Sequence, residues 1–174
     1  MQTIVDRNRK IINIVDDSSP WLGAETYYPW HKIGDVYTEI EPFSYMQQRL
    51  YNDLGSEFAN RRDAVRWINL PSGNRYGFDC AVEDISNFMA AYTPLLIAGS
   101  GETGYKVWKS ETEKGLVILT FDDMQAAYTY VRESQLSAYA WLASSQTKIN
   151  AVTEADGKEK LLAVYDECMA TPTK

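Results

Sequence analysis

No glycine or proline interrupts the chain between Asp122 and Ile149, and Met124, Tyr128, Val131, Gln135, Ala138, Leu142, Ser145 and Ile149 recur there at steps of three and four. That spacing predicts one unbroken helix over about 120–149. Thr120 is placed to cap the first turn, Asp123 stands where a side chain reaches back to the cap, and Leu119 and Met124 bracket it as a hydrophobic staple. The carboxylates of Asp122 and Asp123 suit the positive end of the helix dipole. At 1.5 Å per residue the helix is roughly 45 Å long, about the diameter of a compact domain of this size, so it spans the molecule or projects from it.

A chain of 174 residues, 45% hydrophobic and 24% charged, has enough material for one domain with a sizeable core, or one domain and a small appendage. Its net charge of −7, with no cluster of Lys and Arg, opposes a role on nucleic-acid backbones or acidic membranes, because phosphate binding needs grouped cations. The opening MQTIVDRNRK has no apolar h-region, and the apolar run 89–98 is broken by Tyr92, Thr93 and Pro94. A soluble chain without an export signal or a membrane span is expected. Cys80 and Cys168 are too few and too far apart for a metal knuckle or disulfide framework, and read as buried thiols.

In order, 3–5 and 11–15 read as a hairpin, and 16–33 as a loop carrying Pro20, Gly23 and Pro29 among Trp21, Tyr27, Tyr28 and Trp30. A half-buried strand is expected over 36–40, stopped by Pro42, where a first boundary falls. Ser44 with Gln47 suggests a capping box for a helix reaching about Asp63, with the stripe Met46, Leu50, Leu54 and Phe58. Gly55 inside it marks close packing or a weak point. A second hairpin, 65–70 with 75–78, turns at 71–74. Asp79 is placed to cap a helix faced by Val82, Ile85, Phe88, Met89 and Tyr92, which Pro94 kinks or ends. Gly99, Ser100, Gly101 and Gly104 make a loop, and a third hairpin, 105–109 with 116–119, feeds the long helix. Thr153 with Asp156 caps a last helix over about 153–169, with Leu161, Leu162, Tyr165 and Cys168 as its buried edge.

The connection 150–152 is so short that the last two helices are expected to pack antiparallel. The last helix, about 25 Å long, covers only half of its neighbour. Met124, Tyr128 and Val131 then need another cover, from the earlier helices or from a second copy of the chain, and are the candidate self-association surface. A trimer is the first expectation and a dimer the second.

Catalytic chemistry finds little support. His31 has no second His and no Cys near it, which leaves a metal site or acid/base pair without partners, and it reads as solvent-facing or locally hydrogen-bonded. Of the paired carboxylates Glu39 with Glu41, Glu83 with Asp84 and Asp122 with Asp123, the last two fall in first turns of helices, where acids serve the dipole. The stretch 99–104 lacks the Lys and the preceding strand of a phosphate-binding loop. No enzyme activity, metal or cofactor is expected. Trp21, Tyr27, Tyr28 and Trp30 are instead the candidate partner-binding residues, since such side chains bury large area with few rotors.

The succession Arg61-Arg62-Asp63 closing a helix, the hairpin Asn74-Arg75-Tyr76-Gly77-Phe78-Asp79, a helix with Ser86 and Met89, Tyr105-Lys106-Val107-Trp108, 116–120, and an Ala/Tyr/Trp-bearing helix closing on Lys148-Ile149-Asn150-Ala151-Val152-Thr153 resembles a domain of unknown function recurrent in bacteriophage tail-fibre and tail-associated proteins. The resemblance covers about 44–166, and the order of signals carries it. It implies a protein of the virion, assembled in the bacterial host cytoplasm, whose partners are other phage tail or fibre proteins. No catalytic residue comes with it. The expectation is an α+β chain with an N-terminal β-rich attachment arm, 1–41, and a mainly helical domain, 42–174, with β-hairpins and a long C-terminal helix pair, acting as a structural tail protein. A tail-fibre assembly chaperone is the first alternative and a sugar-binding or sugar-cleaving tail module the second.

Overall fold

The structure, a computed structural model, describes residues 1–5, 9–15, 25–35, 38 and 40–173. The fold is α+β. Strand β1 (Gln2–Val5) pairs antiparallel with β2 (Ile11–Val15) and, on its other side, with β3 (Glu25–Thr26), a short strand inside the stretch expected to be loop. The strand expected over 36–40 lies mostly outside the described residues, and Thr38 and Ile40 are not in a strand.

The second sheet is built from two hairpins in the order β4-β5-β6-β7: β4 (Arg66–Asn69), β5 (Arg75–Phe78), β6 (Glu102–Trp108) and β7 (Lys114–Thr120). The hairpins meet at one register pair, Gly77 with Trp108. Alternation sends Ile68, Phe78, Val107 and Leu119 to one face, where α2 (Val82–Ala98) and the start of α3 (Phe121–Ala151) cover them in a core that also takes Phe88, Tyr92, Met124 and Val131.

Helix α3 is the long helix expected. The Thr120 hydroxyl accepts from the Asp123 amide at 3.2 Å, the Asp123 carboxylate accepts from the Thr120 amide at 3.3 Å, and Leu119 and Met124 are both buried. Its second half lies in a different core, with α1 (Phe43–Asp63) and α4 (Gly157–Ala170) around Leu50, Leu54, Trp141, Ile149 and Leu161. Helix α1 runs antiparallel to it. The Gln47 amide donates to Ile149 O and Val152 O at the end of α3, while Arg61 lies over the Trp141 ring at 4.0 Å. Val152 breaks the helix and a single 3-10 turn, Glu154–Asp156, reverses the chain into α4. Trp141 Nε1 then donates to Cys168 O at 2.8 Å near the far end of α4.

Between the two cores the packing turns polar. Arg66 donates to the buried Ser134 hydroxyl and to Arg61 O, tying the end of α1 and the start of β4 to the middle of α3.

Several local expectations are corrected. Helix α1 starts at Phe43 behind Pro42 with no side-chain cap, because Gln47, the expected partner of Ser44, is drawn to the orphan carbonyls ending α3. Asp79 does not cap α2, which begins three residues later at Val82. Its carboxylate instead accepts from Trp108 Nε1 at 2.7 Å and pairs with Lys114, clasping one hairpin to the other. Pro94 neither ends nor breaks α2, which continues to Ala98 and stops at Gly99 in the left-handed conformation at φ 68°. Val82 is exposed rather than on the buried face. Gly55 is not a close-packed point. Gly104 lies within β6, not in a loop.

Candidate interaction surface

The predicted partner-binding aromatics lie in the N-terminal arm, and the structure brings three of them together. Tyr28 and Trp30 stack at 4.8 Å, and Trp30 meets Tyr45 of α1 edge-on at 5.9 Å. Tyr27 approaches the same centre, the His31 ring, at 6.1 Å, and all three are half-buried. Trp21 lies outside the described residues.

His31 organises this cluster and is buried, not solvent-facing. Its Nε2 is 2.8 Å from Thr38 O, an atom that can only accept, so Nε2 carries the proton and Nδ1 accepts from the Thr3 hydroxyl at 2.9 Å and from the Tyr28 amide at 3.4 Å. One neutral imidazole thus binds β1, the aromatic turn and Thr38, where Trp30 Nε1 also donates at 3.1 Å. The local hydrogen bonding expected of this residue is present.

The residues expected to drive self-association are placed differently from that reading. Met124 is 0% exposed and Val131 7%, both covered by the sheet and α2 of the same chain. They are no uncovered surface, and only Tyr128, 37% exposed, reaches solvent. Their cover comes from α2, one of the earlier helices offered for it by the sequence, together with the sheet that the two hairpins form over the first half of α3. Tyr128 and Val131 line a cavity of about 350 Å³ between α2 and α3.

A surface that the sequence reading missed lies on the outer face of the four-stranded sheet. Gly77, Trp67, Trp108, Lys106, Gly104, Leu116 and Ile118 share that face by register and alternation. Gly77 has no side chain to hold the two indoles apart, and Trp67 and Trp108 close over it. Arg75 stands over the Trp67 ring at 5.5 Å and Lys114 over the Trp108 ring at 5.3 Å. Beyond them Leu116 folds onto Gly104, and Leu116 and Ile118 stay 69% and 64% exposed on β7, the edge strand. The signal was available: Leu116-Val117-Ile118-Leu119 is apolar at every position, so two of its residues must face away from the core.

The face therefore offers two half-buried indoles, two open aliphatic side chains and, among the described residues, a strand edge with no partner strand, with the cations Arg75, Lys106 and Lys114 among them on a chain of net charge −7. Such a strip suits apolar contact with acidic neighbours. Both thiols are buried, and burial pushes the Cys80 thiol up to about 11, out of nucleophilic range. Among the described residues no group of three or more His, Cys, Asp and Glu is placed to hold a metal ion, and no helix is long and apolar enough to cross a membrane. Comparison with family models, with curated proteins and with solved structures returns no match.

Proposed function

We propose that this protein acts through surface contacts rather than catalysis, as a structural component of a bacteriophage tail, and that the outer face of β6 and β7 is the contact surface. The observation that carries the contact reading is the exposure of Leu116 and Ile118 on β7, which among the described residues is an edge strand of the sheet, beside the half-buried Trp67 and Trp108. A partner adding a strand to β7 would satisfy that edge and cover both aliphatic side chains in one step. The tail assignment rests on the resemblance of 44–166 to tail-associated domains.

The test joins the two parts. Mass spectrometry of purified particles should find the chain, and Leu116→Glu with Ile118→Glu should remove it from particles while leaving its melting unchanged. Absence from particles, with presence in assembly intermediates, would favour the chaperone role instead. Retention of the double variant would move the contact to the aromatic arm, where Tyr28→Ala and Trp30→Ala would then be the informative changes.

A further inference from the structure

The cavity between α2 and α3 is not explained by a contact role. Its walls are Phe78, Ile85, Phe88, Met89, Tyr128 and Val131, and at about 350 Å³ it lies at the small end of ligand pockets, which run from about 300 to 1,000 Å³. Beside it Tyr92 of α2 meets Tyr128 of α3 at 5.7 Å, and Phe88 of α2 meets Tyr92 at 5.9 Å and Phe78 of β5 at 6.1 Å.

Three polar side chains also line the cavity, and they are not equivalent. The Asp79 carboxylate is already neutralised by Lys114 and bonded by Trp108. The Gln135 amide nitrogen donates to Cys80 O at 3.3 Å, which leaves its oxygen as an acceptor. Arg132 is exposed and, among the described residues, forms no ion pair or hydrogen bond, so its five donors are available. An apolar chamber with one uncommitted guanidinium on its wall, and its one lining carboxylate already paired with Lys114, matches a molecule with an apolar body and an anionic head.

We propose that this cavity binds a small amphipathic carboxylate, of the size of a phenylalkanoic acid. The ring or alkyl body lies among Phe88, Met89 and Val131, and the carboxylate pairs with the Arg132 fork. The site shares no residue with the outer face of the sheet, so it stands or falls independently of the tail role.

The experiment titrates the full chain with 4-phenylbutyrate and, separately, with 4-phenylbutyramide, following amide chemical shifts by NMR. The acid should give saturable shifts confined to α2 and α3. It should bind at least about tenfold more tightly than the amide, the difference expected of a charge-assisted pair. Arg132→Gln should remove that preference and leave the melt unchanged, and Met89→Trp should fill the chamber and abolish binding of both. If Met89→Trp fails to melt cooperatively, the Arg132 arm decides alone. Equal binding of acid and amide, acid binding unmoved by Arg132→Gln, or no saturable shift in the millimolar range overturns the proposal.

Discussion

A methyl group added at Gly77 would arrive 2.9 Å from Val65 Cγ1 and 3.0 Å from Trp108 Cβ, whereas one added at Gly55 meets nothing within 4 Å. Gly77→Ala should therefore pry apart the junction of the two hairpins and cost about 1–3 kcal/mol, while Gly55→Ala should gain about 0.5–1 kcal/mol by relieving a flexible residue inside α1. Urea unfolding of the two variants checks both signs. Asp123 gives a pH-dependent counterpart. Burial pushes its carboxyl up, but bonds from Ser72 and Thr120 outweigh this, and the net shift is below the ordinary 3.8. A carboxyl held low in the folded state adds stability that is present above 3.8 and is lost as pH falls through the lower folded value. Asp123→Ala should thus cost about 1–3 kcal/mol at pH 7, and the gap from the wild type should narrow in acid titrations below pH about 4.

At the scale of elements, the stripes of α1, α2 and α3 and the turn chemistry at 71–74 were legible, because period and turn residues are local properties. What failed was every cap whose side chain had a better offer from a distance. Gln47 left Ser44 for the end of α3, and Asp79 left α2 for Trp108 and Lys114. Pro94 misled for a related reason: Tyr92 and Leu95 are buried on either side of it, so packing carries α2 through a residue that local rules would stop at. The same logic marks Arg61 and Trp141 as the closure of α4, since Arg61 donates to Met169 O and Thr171 O at 2.7 and 2.6 Å while Trp141 takes Cys168 O. Trp141→Phe keeps an aromatic side chain but deletes the donor and shrinks the buried ring. It should cost about 1–3 kcal/mol and speed hydrogen exchange selectively at the last turn of α4.

At the scale of the molecule, the four helices and the three hairpins could be read from the sequence, but not that two hairpins would join into one sheet, nor that α3 would be divided between two cores; both depend on partners remote in the chain. Among the described residues the aromatic arm touches the rest through Trp30 on Tyr45, through the Glu41 carboxylate accepting from Arg49 Nε at 3.0 Å and Nη2 at 3.2 Å, and through Lys158 donating to Glu41 O. A chain beginning at Glu41 should keep a single cooperative melt with a modestly lower midpoint, and a loss of helical circular dichroism in that chain would instead make the arm part of the core. The shared helix also sets a timetable for synthesis. Met46, Leu50 and Leu54 find their cover on α3 and α4, which leave the ribosome only after Thr120, and the inner face of the sheet waits for the same helix. Until then the nascent chain carries two unfinished apolar surfaces, and neither half can settle before the other. Chains arrested at Leu119 should be degraded by protease at the rate of an unfolded chain, while chains extended through α3 and α4 should abruptly gain protection in both cores, making the emergence of the last two helices, rather than passage of each earlier segment, the event that commits this protein to its shape.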